Sequence, residues 1–193
     1  MKEETEKAAF VFGVSGHRDL VPGDVSALRK EVRHIFQRYI AIRRGCEFEL
    51  LTPLAEGADR IAADEALPLG IKLIVPMPMA QSEYERDFTT TESLTDFRRL
   101  LKAAHSCFEV TEVSPVSDVD NRTRRYAGVG DYIARNSDVL ILLWDGLDNR
   151  KVGGTAWVKM RREHWTRIAK ESGTVPVPET IHVATRRATA MPQ

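Results

Sequence analysis

Cysteine is scarce: Cys46 and Cys107 are the only two in 193 residues. They form no metal-type pair, and no Cys-x-x-Cys occurs, so thiolate metal sites and redox dithiols have no basis. Charge of one sign is not in excess either. The chain carries 28 basic and 28 acidic residues, which argues against a general polyanion binder and makes nucleic acid an unexpected partner. No apolar run approaches the roughly 18 to 20 residues that would cross a bilayer, so no membrane segment is expected. The start, Met1 to Lys7, is charged and leads straight into a strand, unlike a secretory signal. With free thiols, this sets a cytoplasmic expectation. The Gly-x-Ser-x-Gly elbow, the His-Glu-x-x-His zinc motif and the Walker A loop are all missing. No metal site is expected.

What the sequence does have is a repeating order of apolar strands and amphipathic helices. Phe10 to Val14 has the content of a buried strand and breaks into Ser15-Gly16-His17-Arg18. Val25, Leu28, Val32, Ile35, Phe36, Tyr39 and Ile40 then form one face of a helix from about Asp24 to Arg43, with Asp24 as its cap. Strands follow at about 47–51, 71–76, 107–110, 139–144 and 180–184, each separated by helical pattern. Ser82 and Glu85 have capping-box spacing, and Ser114 to Arg125 reads as a surface loop. Hairpin signals such as Asn-Gly are absent. The expected fold is therefore α/β: a Rossmann-like, doubly wound, mostly parallel sheet of five to six strands with helices on both faces. One domain spans 1–185, and 186–193 reads as a flexible tail.

Ligands of such sheets bind beyond the carboxyl ends of the strands, where strand order reverses. That rule brings four loops to one edge. Ser15, Gly16, His17 and Arg18 follow the first strand. Arg18 offers a planar fork to a phosphate, or pairs with a nearby acid such as Asp19. Glu56, Gly57 and Asp59 follow the second strand. They meet a sugar or base, or cap a helix. Met77 to Glu85 leaves the third. Gly153-Gly154-Thr155 opens a helix after the strongest strand, and presents bare amides to phosphate or serves as a flexible loop with a capping threonine. Arg122, Arg124 and Arg125 reach toward an anion or lie solvated. Residues 150–171 hold seven basic and two acidic side chains, without the interleaved aromatics of a single-strand platform. His164 falls on the apolar face of its helix.

These loops resemble the SLOG superfamily of Rossmann-like domains, which unites the Lonely Guy phosphoribohydrolases with DNA-processing protein A. The resemblance runs from about Phe10 to Lys159. It rests on Gly13-Val14-Ser15-Gly16-His17-Arg18, on Glu56-Gly57-Ala58-Asp59-Arg60-Ile61-Ala62, and on Ser137 to Gly146 leading into Gly153-Gly154-Thr155. It implies a phosphate cradle from Ser15, Gly16, His17, Arg18, Gly153, Gly154 and Thr155. It implies sugar or base contact from Glu56, Gly57 and Asp59, with Arg125 and Tyr126 as additional candidates. Val158 stands where the hydrolases carry their catalytic glutamate, so no catalytic residue is assigned. The implied function is sensing of a nucleotide-derived ligand, as in bacterial defence systems, with an effector domain or a second copy as partner. No cofactor beyond such a ligand is implied. An N-glycosidase using Glu56 or Asp59 is the alternative, and single-strand DNA binding through the 150–171 segment is the second.

Overall fold

The computed structural model describes residues 9–112, 116–148, 150–174 and 176–189. The charged start Met1–Lys7, Ser114 in the polar run and the tail from residue 190 lie outside them. The strands are β1 (Phe10–Gly16), β2 (Phe48–Leu51), β3 (Lys72–Met77), β4 (Ser106–Glu109), β5 (Val139–Trp144) and β6 (Glu179–Ala184). Between them run α1 (Val25–Ile42), α2 (Ala58–Ala66), α3 (Gln81–Tyr84), α4 (Thr91–Ala103), α5 (Asn121–Asn136) and α6 (Thr155–Glu171). The sheet has six strands in the order β4-β3-β2-β1-β5-β6, with every named pair parallel. The doubly wound α/β reading holds.

The period of two along β5 explains the two layers of helices. Val139, Ile141 and Leu143 pack into one core with Val32 and Phe36 of α1, Ala62 of α2 and Phe97 of α4. Leu140 and Leu142 point the other way, to Val129 and Ile133 of α5 and Val158 of α6. All six β5 residues are buried, as a strand covered on both faces requires. From β1 the chain steps outward through β2, β3 and β4, then returns through α5 to place β5 on the other side of β1. The strand order therefore reverses between β1 and β5.

Arg162 ties the start of this second half together. It is almost fully buried, and its guanidinium donates to four carbonyls: Ala134 (2.8 Å) and Ser137 (2.7 Å), Asp138 (3.0 Å) and Glu179 (2.8 Å). These are the end of α5, the entry to β5 and the entry to β6. Burial lowers its pKa to about 10, against the pull of Asp138, so it remains charged at neutral pH.

Several local expectations are corrected. Helix α5 begins inside the run read as a loop, because Asp120 caps it by accepting from the Thr123 amide (2.9 Å). The Ser82–Glu85 box does not form. Glu85 instead accepts from Gln81 (2.8 Å) and Arg98 (3.1 Å). Asp24 does not cap α1 with its side chain, and its carboxylate binds Arg186 at 2.7 and 2.9 Å. That contact belongs to a wider departure: residues 186–189 are fastened down rather than loose. Arg187 bridges Leu20 in antiparallel fashion, the Ala188 amide donates to the Asp19 carbonyl (2.7 Å), and the Asp19 carboxylate takes Arg187 (3.2 Å) and the Thr189 hydroxyl. No helix among the described residues is long and apolar enough to cross a membrane.

Candidate functional site

A cleft of about 730 Å³ opens at the carboxyl ends of β1 and β5, the place where the reversal of strand order leaves a crevice. Ser15, Gly16, His17 and Arg18 line it from the first loop. Gly153, Gly154 and Thr155 line it from the loop after β5, with Asp59 from α2 and Tyr126 from α5. Two turns separated by more than 130 residues of sequence thus share one rim. Glu56, Gly57 and Arg125 are not among the lining residues. Glu56 accepts from the Ser93 hydroxyl, and Arg125 donates to Glu109 (3.1 Å) at the end of β4.

The glycines divide by purpose. A Cβ on Gly16 would fall 2.5 Å from Ala58 Cβ and 2.5 Å from the Leu143 carbonyl. Gly57 has φ +75°, and its Cβ would lie 2.4 Å from the His17 carbonyl. Both positions are small because β1, α2 and β5 converge there, not because a ligand needs the space. Gly153 also has positive φ (+77°) and turns the loop into α6. The Gly154 amide is already used, donating to Lys151 O (3.0 Å). No side chain caps α6. The bare amides on offer are therefore those of the first turn of this 17-residue helix, at Thr155 to Trp157, which favour an anion at that end.

His17 has a structural task. It is buried, and its Nε2 accepts the Asp145 amide at 3.0 Å, so the ring proton sits on Nδ1. Burial lowers its pKa, and the Asp145 carboxylate at 3.2 Å only partly opposes this. The ring is neutral near pH 7 and joins the ends of β1 and β5. It is not a cation aimed at a phosphate.

Arg18 differs. It is exposed, and its guanidinium carbon lies 5.8 Å from the centre of the Tyr126 ring. No carboxylate pairs with it among the described residues. Arg122 reaches the same ring at 5.8 Å, but Glu83 (3.1 Å) and Asp87 neutralise it. Below the rim the cleft has a polar floor. Asp59 is buried, and desolvation raises its pKa to about 7 despite the Ala55 amide and the charges of Arg18 and Arg60. Tyr84 is fully buried, and its hydroxyl has no hydrogen-bond partner among the described residues. The Tyr126 hydroxyl is in the same state.

Tyr84 has no signal of its own in the sequence. The rule about strand ends nominates its segment, but a single tyrosine in a short polar helix carries no pattern. The basic 150–171 segment, by contrast, is only partly open. Arg162 is buried, Arg161 binds Asp131 (2.5 Å), and Lys159 binds Glu163, whereas Arg150, Lys151, Arg167 and Lys170 are exposed. His164 sits at intermediate exposure against Trp165 rather than in the core.

No family model matches the chain, and no curated protein matches it. Solved structures do. DNA processing protein A from Streptococcus pneumoniae aligns with a TM-score of 0.53 at 14% identity, over 81% of this chain and 48% of that one. DNA processing protein A from Helicobacter pylori, described for its single-stranded DNA binding mode, aligns with a TM-score of 0.52 at 16% identity, over 93% and 67%. The chain thus spans about half the length of the first of these proteins. The second corrects one expectation. Charge balance made nucleic acid an unexpected partner, yet a protein of this fold binds single-stranded DNA. Net charge does not exclude such a partner, because it averages over the whole surface and says nothing of a single rim. The chain has the Rossmann-like fold of DNA processing protein A, one of the two branches named by the sequence resemblance.

Proposed function

We propose that this chain binds single-stranded nucleic acid, with a phosphate at the first turn of α6 and a base against Tyr126. The observation that carries the proposal is Arg18, a guanidinium with no carboxylate partner among the described residues, lying over an aromatic ring at the mouth of the cleft. A cation beside a stacking surface is what a flexible, charged strand of bases needs. The likeness to a fold that binds single-stranded DNA supports the same reading. Anisotropy of a labelled 12-nucleotide oligodeoxynucleotide tests it. Binding should weaken steeply with salt, and Arg18→Ala and Tyr126→Ala should each weaken it about tenfold. No binding at low salt would refute the proposal.

A second reading is favoured by the floor. Asp59 and Tyr84 lie deep and shielded from bulk water, a depth that suits one nucleotide better than a polymer. On this reading the domain senses a nucleotide-derived ligand. Calorimetry against NAD, ADP-ribose, cyclic oligonucleotides and mononucleotides tests it, and binding of one of these without binding of the oligomer would select it. The N-glycosidase reading keeps only one of its two nominated acids in the cleft, Asp59. Val158, where the hydrolases have glutamate, is buried against Gly130.

A further inference from the structure

The cleft holds three polar groups with capacity to spare, two on its floor and one nearer the rim. Asp59, in the first turn of α2, spends Oδ2 on the Ala55 amide (3.1 Å), and Oδ1 receives no donor among the described residues. The Tyr84 hydroxyl is buried and has no partner among the described residues, and Tyr84 lines the cleft. The Tyr126 hydroxyl is unpartnered too, and the two tyrosine rings lie 6.2 Å apart. A buried hydroxyl left unmade costs free energy, and native structures keep few of them without a reason. Apolar side chains, Val14, Val129 and Ile133, wall the same space. Apolar walls with a few polar groups between them suit a heterocycle entered edge first.

The donor pattern narrows which heterocycle. Asp59 Oδ1 is an acceptor, and the Tyr84 hydroxyl can donate. Cytosine presents an amine beside a bare ring nitrogen, and adenine does the same. Thymine presents an oxygen beside an N–H, which sets oxygen against carboxylate. We infer that the floor is a base-reading subsite, in which Asp59 accepts the exocyclic amine of cytosine or adenine and Tyr84 donates to the adjacent ring nitrogen. The inference rests on the nucleic-acid reading of the cleft and adds the choice of base. Arg18 and Arg60 flank Asp59, and Asp87 lies near Tyr84.

The test compares labelled dC12 with dT12 at pH 8, two pyrimidine oligomers of equal charge. The wild-type chain should bind dC12 about tenfold more tightly, within the range one good base contact gives. Asp59→Asn, whose amide can turn to meet either base, should bring the ratio below about twofold, and Tyr84→Phe should reduce it by about threefold. Equal, Arg18-dependent binding of both oligomers would overturn the subsite and leave the nucleic-acid reading standing. A preference unchanged in Asp59→Asn would also overturn the subsite. If neither oligomer binds, the nucleic-acid reading fails and calorimetry with dCMP and dTMP decides the subsite. A dCMP preference erased by Asp59→Asn supports it, and equal or absent binding overturns it.

Discussion

Arg18 and Tyr126 meet across the mouth of the cleft, guanidinium carbon 5.8 Å from ring centre, one from the loop after β1 and the other from α5. They are 108 positions apart in sequence. Their contact depends on the parallel sheet that brings those two segments to one edge.

Because the guanidinium lies over an aromatic ring, lysine should not replace arginine. Arg18→Lys keeps the charge but loses the stacked fork. Affinity for a 12-nucleotide single strand should fall about fivefold while the slope of log K against log salt stays nearly unchanged. Arg18→Ala should lower that slope by about 0.7, one single-strand phosphate contact. Full affinity in Arg18→Lys would show that only charge matters there.

Gly16→Ala is expected to destabilise the fold by about 3 kcal/mol, at the upper end of overpacking costs. The new methyl would meet the Leu143 carbonyl, which is backbone and cannot swing aside. Denaturant unfolding measures this. Gly23→Ala, where nothing lies within 4 Å, is the control and should change stability by less than about 0.5 kcal/mol.

Asp59 predicts an inverted pH dependence. Its pKa is raised in the folded state from an ordinary 3.8 to about 7. Between these values the native chain holds a proton that the unfolded chain has released. Stability from this group therefore falls as pH rises through that window, by about 4 kcal/mol in the limit. Carboxylates such as Asp19, whose pKa is lowered chiefly by hydrogen bonds from Thr189 and Arg187 against the opposing desolvation, act in the opposite direction. The comparison must therefore be with Asp59→Asn. The variant's Tm advantage over wild type should grow from pH 5 to pH 8. An advantage of constant size would contradict the raised value.

Arg162 and the surface of α6 separate stability from binding. Arg162→Met takes the guanidinium donor from four carbonyls, of which Asp138 O keeps the Glu179 amide, and should cost about 3 kcal/mol or more. Lys159→Ala should alter single-strand affinity by less than about twofold, since Glu163 already pairs with it, and so should Arg167→Ala, whose side chain lies against His164 and does not line the cleft. A large loss of binding in either would move the interface from the cleft to α6.

The sheet was legible because its signals are local. Six apolar runs, helical periodicity between them and no hairpin turns leave few topologies. The rim was legible through the rule on strand ends, which needs only the order of elements. The roles within it were not. His17 reads as a ligand group in the sequence, but its ring is taken up by the Asp145 amide, a partner 128 positions away. Gly16 reads as a phosphate glycine and Gly57 as a sugar or base contact, whereas the carbonyls of Leu143 and His17 dictate them. Arg162 counts as one more surface charge until the end of α5 and the starts of β5 and β6 close around it. Each miss turns on a long-range contact that no window of neighbouring residues contains.

The reversal of strand order has a further effect, on the timing of folding. β1 is made first, yet one of its edges pairs with β5, Phe12 opposite Val139. Until about three-quarters of the chain has left the ribosome, that edge lies bare and the mouth of the cleft has one wall. Closing so long a loop is slow, so the strand register Phe12 to Gly16 must wait, exposed, for its last neighbour. A chaperone or a mispaired edge would find the nascent chain there, and the cleft would be among the last parts of the molecule to form.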